Sequence, residues 1–256
     1  MRFRVLGCSG GQVPGHNLSS YVINDRLLID AGSIAATLEV KAQCKIQNIL
    51  LTHVHLDHVM GLASLAENLF GQTQATVKVW AIPDVISAIK ATFFNNSLWP
   101  DFTEITSPGQ PVPVLTFEPI REEVPITVAD VTFTSVRVNH IVPSTAFFIQ
   151  NKDKTLLHVG DTGPTEKLWA TAKGYQDLCA VVLEASFPNR LQKLADLSKH
   201  LTPQNFKMEL DKLDRPSIPV LATHMKPQYR DEIVAELQAI KGYQLRILED
   251  GDILDL

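Results

Sequence analysis

Residues 52–58 read Thr52-His53-Val54-His55-Leu56-Asp57-His58, placing three imidazoles and a carboxylate within six positions. Imidazole nitrogens and carboxylate oxygens together suit zinc or a similar first-row cation. His53 and His55 are two residues apart, so on an extended turn both project to one side and can share an ion. Asp57 and His58 follow at the start of a helical pattern, where they can reach a second ion. The bland alternative is a solvated, histidine-rich loop, but such a loop has no reason to follow a run as apolar as Ile49–Leu51. The chain has eight histidines. Two more of them, His140 and His224, and the aspartate Asp161 in Val159-Gly160-Asp161-Thr162, each fall after a strand pattern. Singly, each would pass for a structural histidine or an ordinary turn. Their common position at strand ends makes them candidates as a set.

The elements that must position these groups can be read from periodicity. Short apolar or β-branched runs at Arg2–Leu6, Tyr21–Ile23, Leu27–Ile29 and Ile49–Leu51 are expected strands. Asn24-Asp25 is a two-residue hairpin candidate. Val59–Phe70 carries an apolar face at helical spacing and ends at Gly71. Val77–Ile82 is an expected strand, and Pro83 opens a helix through Thr92. From Asn95 to Pro125 six prolines break any period, so this stretch reads as irregular chain lying over something. Strands return at Ile126–Val128, Val131–Val138, Thr145–Gln150, Thr155–Val159, Val181–Glu184 and Ile218–Ala222. Thr202 caps a helix over Pro203–Leu213, and Asp231–Ile240 is a further helix. Leu245–Leu248 and Asp252–Leu254 are expected to close the chain as a hairpin around Asp250-Gly251. The alternation implies an α/β protein with two sheets and helices outside them.

His53-Val54-His55-Leu56-Asp57-His58 resembles the HxHxDH signature of the metallo-β-lactamase fold superfamily. Leu27-Leu28-Ile29-Asp30-Ala31-Gly32, His140, Asp161 and His224 are similar to the family's other motifs, in the same order. The resemblance implies a four-layer αβ/βα sandwich spanning residues 1–256 as one domain. It also implies two divalent ions, zinc in the first place, with manganese or iron(II) as alternatives. His53, His55 and His140 would hold one, Asp57, His58 and His224 the other, and Asp161 would bridge them. Asp30 would support the metal loop.

Fold alone does not choose among phosphodiester, β-lactam, thioester and glyoxalase-type substrates. Glu184, in Leu183-Glu184-Ala185-Ser186-Phe187, and His200, in Ser198-Lys199-His200-Leu201-Thr202, resemble the phosphodiesterase branch, where the histidine protonates the leaving group. Histidine suits that role because it titrates near neutral pH and a nearby carboxylate can hold its protonated form. Glu184 is then the orienting partner. His200-Leu201-Thr202-Pro203, Thr223-His224-Met225-Lys226-Pro227 and Asn139-His140-Ile141-Val142-Pro143-Ser144 are similar to elements of the class II cyclic nucleotide phosphodiesterases. The reaction implied is hydrolysis of 3′,5′-cyclic AMP, and of cyclic GMP as a second substrate, by a dimetal-bridging hydroxide, with catalytic roles for Asp57, His200 and Glu184. A homodimer is a further implication of the resemblance.

Composition narrows the competing readings. The net charge of −5, without any Lys/Arg cluster, argues against a transfer-RNA 3′-processing endonuclease or another partner held through nucleic acid. No apolar run is long enough to span a membrane, and the N-terminal apolar segment is too short for a secretory signal. Cys8, Cys44 and Cys179 are odd in number and far apart, so a reduced, cytoplasmic protein is expected. A metal-bound sensor that holds a cyclic nucleotide without turnover is the reading from another class. His16 is left to a loop role and His158 to the core or to a place behind the metal ligands, and Phe93, Phe94, Trp99 and Phe102 either stack on a purine or pack as a lid or a subunit interface.

Overall fold

The computed structural model describes residues 1–73 and 75–256. The apolar runs form two seven-stranded sheets. The first contains β1 (Arg2–Gly7), β2 (Ser20–Ile23), β3 (Leu27–Ile29), β4 (Asn48–Leu50), β5 (Val77–Ala81) and β6 (Leu115–Pro119). The second contains β7 (Ile126–Val128), β8 (Val131–Arg137), β9 (Thr145–Asn151), β10 (Lys154–His158), β11 (Leu178–Glu184), β12 (Pro219–Thr223) and β13 (Gln244–Ile247). The last strand, β14 (Ile253–Asp255), returns to pair with β1 in the first sheet.

Each sheet begins with antiparallel neighbours and continues with parallel ones: β3-β4-β5-β6 in the first, β10-β11-β12-β13 in the second. Parallel neighbours need crossover connections. Here these include α1 (Ile34–Thr37), α2 (Val40–Gln43), α3 (Leu56–Val59), α4 (Gly61–Leu69), α5 (Pro83–Thr92), α6 (Lys167–Ala172), α7 (Gln192–Ser198), α8 (Pro203–Leu213) and α9 (Arg230–Gln238).

Period two along the central strands explains the layering. On β11, Ala180 and Val182 face the core between the sheets, with Phe3, Ile29, Leu50 and Phe147. Val181 and Leu183 face the other way, onto Leu168, Phe206, Leu210 and Ile233 of α6, α8 and α9. A strand covered on both faces reads as a continuous apolar run, and fully burying each such side chain contributes about 1.5–3 kcal/mol. The result is a four-layer αβ/βα sandwich, the architecture that the resemblance implies.

Three differences from the sequence expectation have identifiable causes. The helix expected over Val59–Phe70 starts earlier, as α3 (Leu56–Val59), and passes through Met60 into α4. The proline-rich stretch contains a strand, since Leu115–Pro119 adds in parallel to β5. The aromatic residues of that region pack at this sheet edge: Phe94 is buried and its ring lies against Phe93 and Phe117. The closing hairpin around Asp250-Gly251 does not form. β13 pairs in parallel with β12 while β14 pairs with β1, so the turn connects the two sheets. Asp250 caps this crossing, because its carboxylate accepts from the Cys8 and Asn17 amides at 3.1 and 2.7 Å.

Candidate metal centre

β4 delivers the metal loop. After Leu50 the chain crosses between the sheets: the Thr145 N–H, at the start of β9, donates to Thr52 O at 3.0 Å. Beneath the loop lies Asp30, just past β3, with φ +52°, a left-handed conformation that aspartate tolerates better than most residues. Its Oδ1 accepts from the Thr52 amide at 2.8 Å and its Oδ2 from the Thr52 hydroxyl at 2.8 Å. Oδ2 also accepts from His58 Nδ1 at 2.7 Å, which aims Nε2 of the same ring away from Asp30. Gly32 and Gly61 permit this packing. A Cβ on Gly32 would lie 2.2 Å from Asp57 O, and one on Gly61 would lie 2.5 Å from Ala31 O.

Two four-residue groups converge at the carboxyl ends of β4, β10 and β12, where open α/β sheets commonly bind ligands. One comprises His53, His55, His140 and Asp161, the other Asp57, His58, Asp161 and His224. In the first, His53 Nε2 to His55 Nδ1 is 3.1 Å, His55 Nδ1 to His140 Nε2 is 3.3 Å and His53 Nε2 to Asp161 Oδ2 is 3.7 Å. In the second, His58 Nε2 to His224 Nε2 is 3.1 Å, and His224 Nε2 lies 3.4 Å from Asp57 Oδ2 and 3.3 Å from Asp161 Oδ1. A tetrahedral shell with bonds of about 2.0–2.1 Å has ligand–ligand edges of about 3.3–3.4 Å. Both groups therefore fit a first-row cation, and Asp161 belongs to both.

The ring nitrogens on the far side are engaged, as metal-ligating imidazoles require. His140 Nδ1–H donates to Lys199 O at 3.1 Å. His224 Nδ1–H donates to Ser186 Oγ at 3.0 Å, and His53 Nδ1–H to Thr52 Oγ1 at 3.0 Å. Burial lowers the pKa of His53, His55 and His140, aided by neighbouring imidazoles, which favours the neutral ligand form. Burial opposes ionisation of Asp161, but the charges of His224 and His58 outweigh it and hold the carboxyl well below its usual range. For His58, burial acts downward and the Asp161 and Asp30 carboxylates more than reverse it. A cation at His58 Nε2 would take the place of that proton.

Beside these groups, Glu184, His200 and His224 form a third cluster. Glu184 ends β11 and is buried, so it is no surface charge. Its Oε1 accepts from the Thr162 amide at 3.0 Å and from His200 Nδ1 at 2.7 Å. Its Oε2 accepts from Ser186 Oγ at 2.5 Å and from the Leu201 amide at 3.3 Å. Four donors hold this carboxylate in place. Lys199, left-handed at φ +52°, ends α7 and turns the chain so that the His200 ring packs edge-on to His140 and stacks on His224, with centroids 5.0 and 5.7 Å apart. Burial lowers the His200 pKa, and the Glu184 charge and hydrogen bond, with Asp161, overcome it, so the net shift is upward.

All nine candidates, His53, His55, Asp57, His58, His140, Asp161, Glu184, His200 and His224, thus meet in one place. Sequence reasoning missed the connecting hydroxyls. Ser186 joins Glu184 to His224, and Thr52 joins Asp30 to His53; their only signal is adjacency to a candidate, which many serines and threonines share. Other residues stand apart. Lys226 Nζ donates to Gly10 O and so ties down the 9–17 loop. His16 lies near Ser9 Oγ, outside the three clusters. His158 is buried, with its pKa lowered to about 4 by desolvation.

A family model described as a Beta-lactamase superfamily domain matches residues 25–240. A probable 3′,5′-cyclic-nucleotide phosphodiesterase of Yersinia pestis is 28% identical over 96% of this chain and 87% of its own length. A 3′,5′-cyclic-nucleotide phosphodiesterase of Aliivibrio fischeri is 24% identical over 82% of this chain and 74% of its own. The crystal structure of unliganded yeast PDE1 superposes with a TM-score of 0.84 at 18% identity, covering 100% of this chain and 99% of that one. With its fold, its ordered motifs and the family match across most of its length, the chain belongs to the metallo-β-lactamase superfamily.

Proposed function

We propose that this protein is a metal-dependent phosphodiesterase that hydrolyses 3′,5′-cyclic nucleotides, cyclic AMP and also cyclic GMP, to 5′-nucleotides. His53, His55 and His140 hold one divalent ion, Asp57, His58 and His224 the other, and Asp161 contributes to both. Zinc suits this nitrogen-rich set, with manganese or iron(II) as alternatives. When bound, the two ions would supply an activated water and neutralise phosphoryl oxygens.

The chain's own groups carry the remaining work. Asp57 stays ionised because the His224 hydrogen bond and the His58 charge outweigh its burial, so it adds negative charge to balance the second ion. Glu184 fixes the His200 ring through Nδ1 and stabilises its protonated form, leaving Nε2 as the proton donor. Protonation of the 3′ oxygen as it departs gives the 5′-nucleotide. An alkoxide is a poor leaving group, so this step gains most from a positioned acid. The 2.7 Å His200–Glu184 contact beside the metal clusters is the observation that carries the reading.

The similarity to cyclic-nucleotide phosphodiesterases along most of the chain supports the same substrate class. Among the described residues no helix is long and apolar enough to cross a membrane. The cysteines Cys8, Cys44 and Cys179 are free, which accords with a reducing, cytoplasmic setting. Competing assays on cyclic AMP and on a precursor transfer RNA test the proposal. Turnover of the cyclic nucleotide is expected. Cleavage of the RNA alone would assign the chain to RNA processing, and tight binding without product would make it a sensor.

A further inference from the structure

β10 ends at His158, whose ring lies beneath the candidate metal centre and belongs to none of its clusters. The side chain is buried, and neither Nδ1 nor Nε2 has a hydrogen-bond partner among the described residues. A neutral imidazole offers one N–H donor and one bare acceptor nitrogen, and leaving both unpaired in a protein interior is costly. A second orphan lies nearby. Ser19 Oγ is fully buried beside the Tyr21 hydroxyl but makes no aligned bond with it. The Thr223 hydroxyl donates to Cys8 O at 3.3 Å and accepts from the Tyr21 hydroxyl at 2.6 Å, so the Tyr21 oxygen keeps a free lone pair.

These groups border one small cavity of about 10 Å³. Its lining includes Ser19, Tyr21, His158 and Thr223, together with His58, Asp161 and His224 of the candidate metal centre. About 10–15 Å³ is the space one water molecule needs, provided two to four polar partners surround it. The lining supplies them: a ring nitrogen, a hydroxyl with no partner and a phenol oxygen with a free lone pair. The volume leaves no room for a larger guest.

We propose that one ordered water occupies this cavity and joins the His158 ring to the Ser19 and Tyr21 hydroxyls, making His158 a positioning residue for the candidate metal centre. The water would act between the two sheets. Ser19 directly precedes β2 and Tyr21 lies within it, in the first sheet, while His158 and Thr223 end β10 and β12 in the second. Asp161 lies three residues beyond His158, and His224 directly follows Thr223. A polar strut here fixes the distance between the strand ends that deliver two of the ligands. The inference concerns the chain's own packing and is independent of the substrate.

A crystal structure of the metal-loaded protein, at about 1.2 Å or better so that the His158 N–H can be located as well as ordered solvent, tests the water directly. The expected result is a density peak about 2.7–3.2 Å from a His158 nitrogen and from Ser19 Oγ. A cavity without density would overturn the water, as would a His158 N–H aimed at the Tyr21 ring, whose centroid is 4.8 Å away in an edge-on arrangement. The positioning role is tested by metal affinity, measured by competition with a chromophoric chelator, in His158→Phe and His158→Gln. Phenylalanine is expected to weaken zinc binding about three- to tenfold, less than the ten- to hundredfold typical of groups touching a ligand directly. Glutamine, which keeps a donor and an acceptor, should restore it to within about twofold. If the phenylalanine variant does not fold, Ser19→Ala takes its place, with weaker binding again expected. Unchanged affinity in a folded Phe or Ala variant, or equal loss with Gln and Phe, would overturn the role.

Discussion

His200 Nδ1 lies 2.7 Å from Glu184 Oε1, and that carboxylate is itself held by the Thr162 and Leu201 amides and the Ser186 hydroxyl. A buried carboxylate fixed by several donors is unable to follow the imidazole away from its position. The ring is therefore locked in orientation, with Nδ1 committed and Nε2 as its remaining polar atom. The same serine accepts from His224, so the proposed acid and a proposed metal ligand share one hydrogen-bonded frame.

His200→Ala is expected to lower kcat on cyclic AMP by about 10²–10⁴-fold, the usual worth of general acid–base catalysis. Metal content, measured by elemental analysis, should stay at the wild-type value. Loss of an ion in this variant would make His200 a ligand.

Glu184→Gln tests the pairing through pH. The acid must be protonated to act, so the rate should fall as pH rises through the His200 pKa, which the structure places above the ordinary 6.5. The amide removes the charge that raises this pKa while burial continues to lower it. The alkaline limb of the kcat profile should therefore move to lower pH, and the variant should lose more activity at pH 8 than at pH 6. An unmoved limb would show that another group sets it.

Asp161→Ala should disturb both ions at once, because Asp161 is common to the two ligand groups. Metal analysis of the purified variant checks this. A variant that binds two ions with wild-type affinity would contradict the shared-ligand assignment.

Asp30→Asn keeps a residue that tolerates the left-handed backbone but replaces the anionic acceptor of His58 and Thr52. Zinc affinity at the His58 site should fall about ten- to a hundredfold, as is typical for the outer partners of metal-bound imidazoles. Chelator competition measures it, and wild-type affinity would mean that His58 is positioned by other contacts.

The metal loop is legible in the sequence because four of its candidate groups lie within six residues and follow an apolar strand. His140, Asp161 and His224 are legible for a related reason: each sits where a period-two run ends. The hydrogen bonds between distant positions are not legible. Nothing local in Ala185-Ser186-Phe187 indicates that Ser186 reaches His224, 38 positions away. β6 escapes because its surrounding prolines dominate the local signal, and its parallel partner β5 is far along the chain. Asp250-Gly251 has the composition of a hairpin turn, yet the edge of β1 and the Cys8 and Asn17 amides draw the two flanking strands into different sheets. Short helices such as α6 and α7 contain too few turns for a period to emerge.

The most direct test is product analysis after incubating the zinc- or manganese-loaded protein with 3′,5′-cyclic AMP. An account in which His200 protonates the departing 3′ oxygen predicts 5′-AMP as the sole nucleotide product. Accumulation of 3′-AMP, or intact cyclic AMP alongside a cleaved precursor transfer RNA, would contradict it.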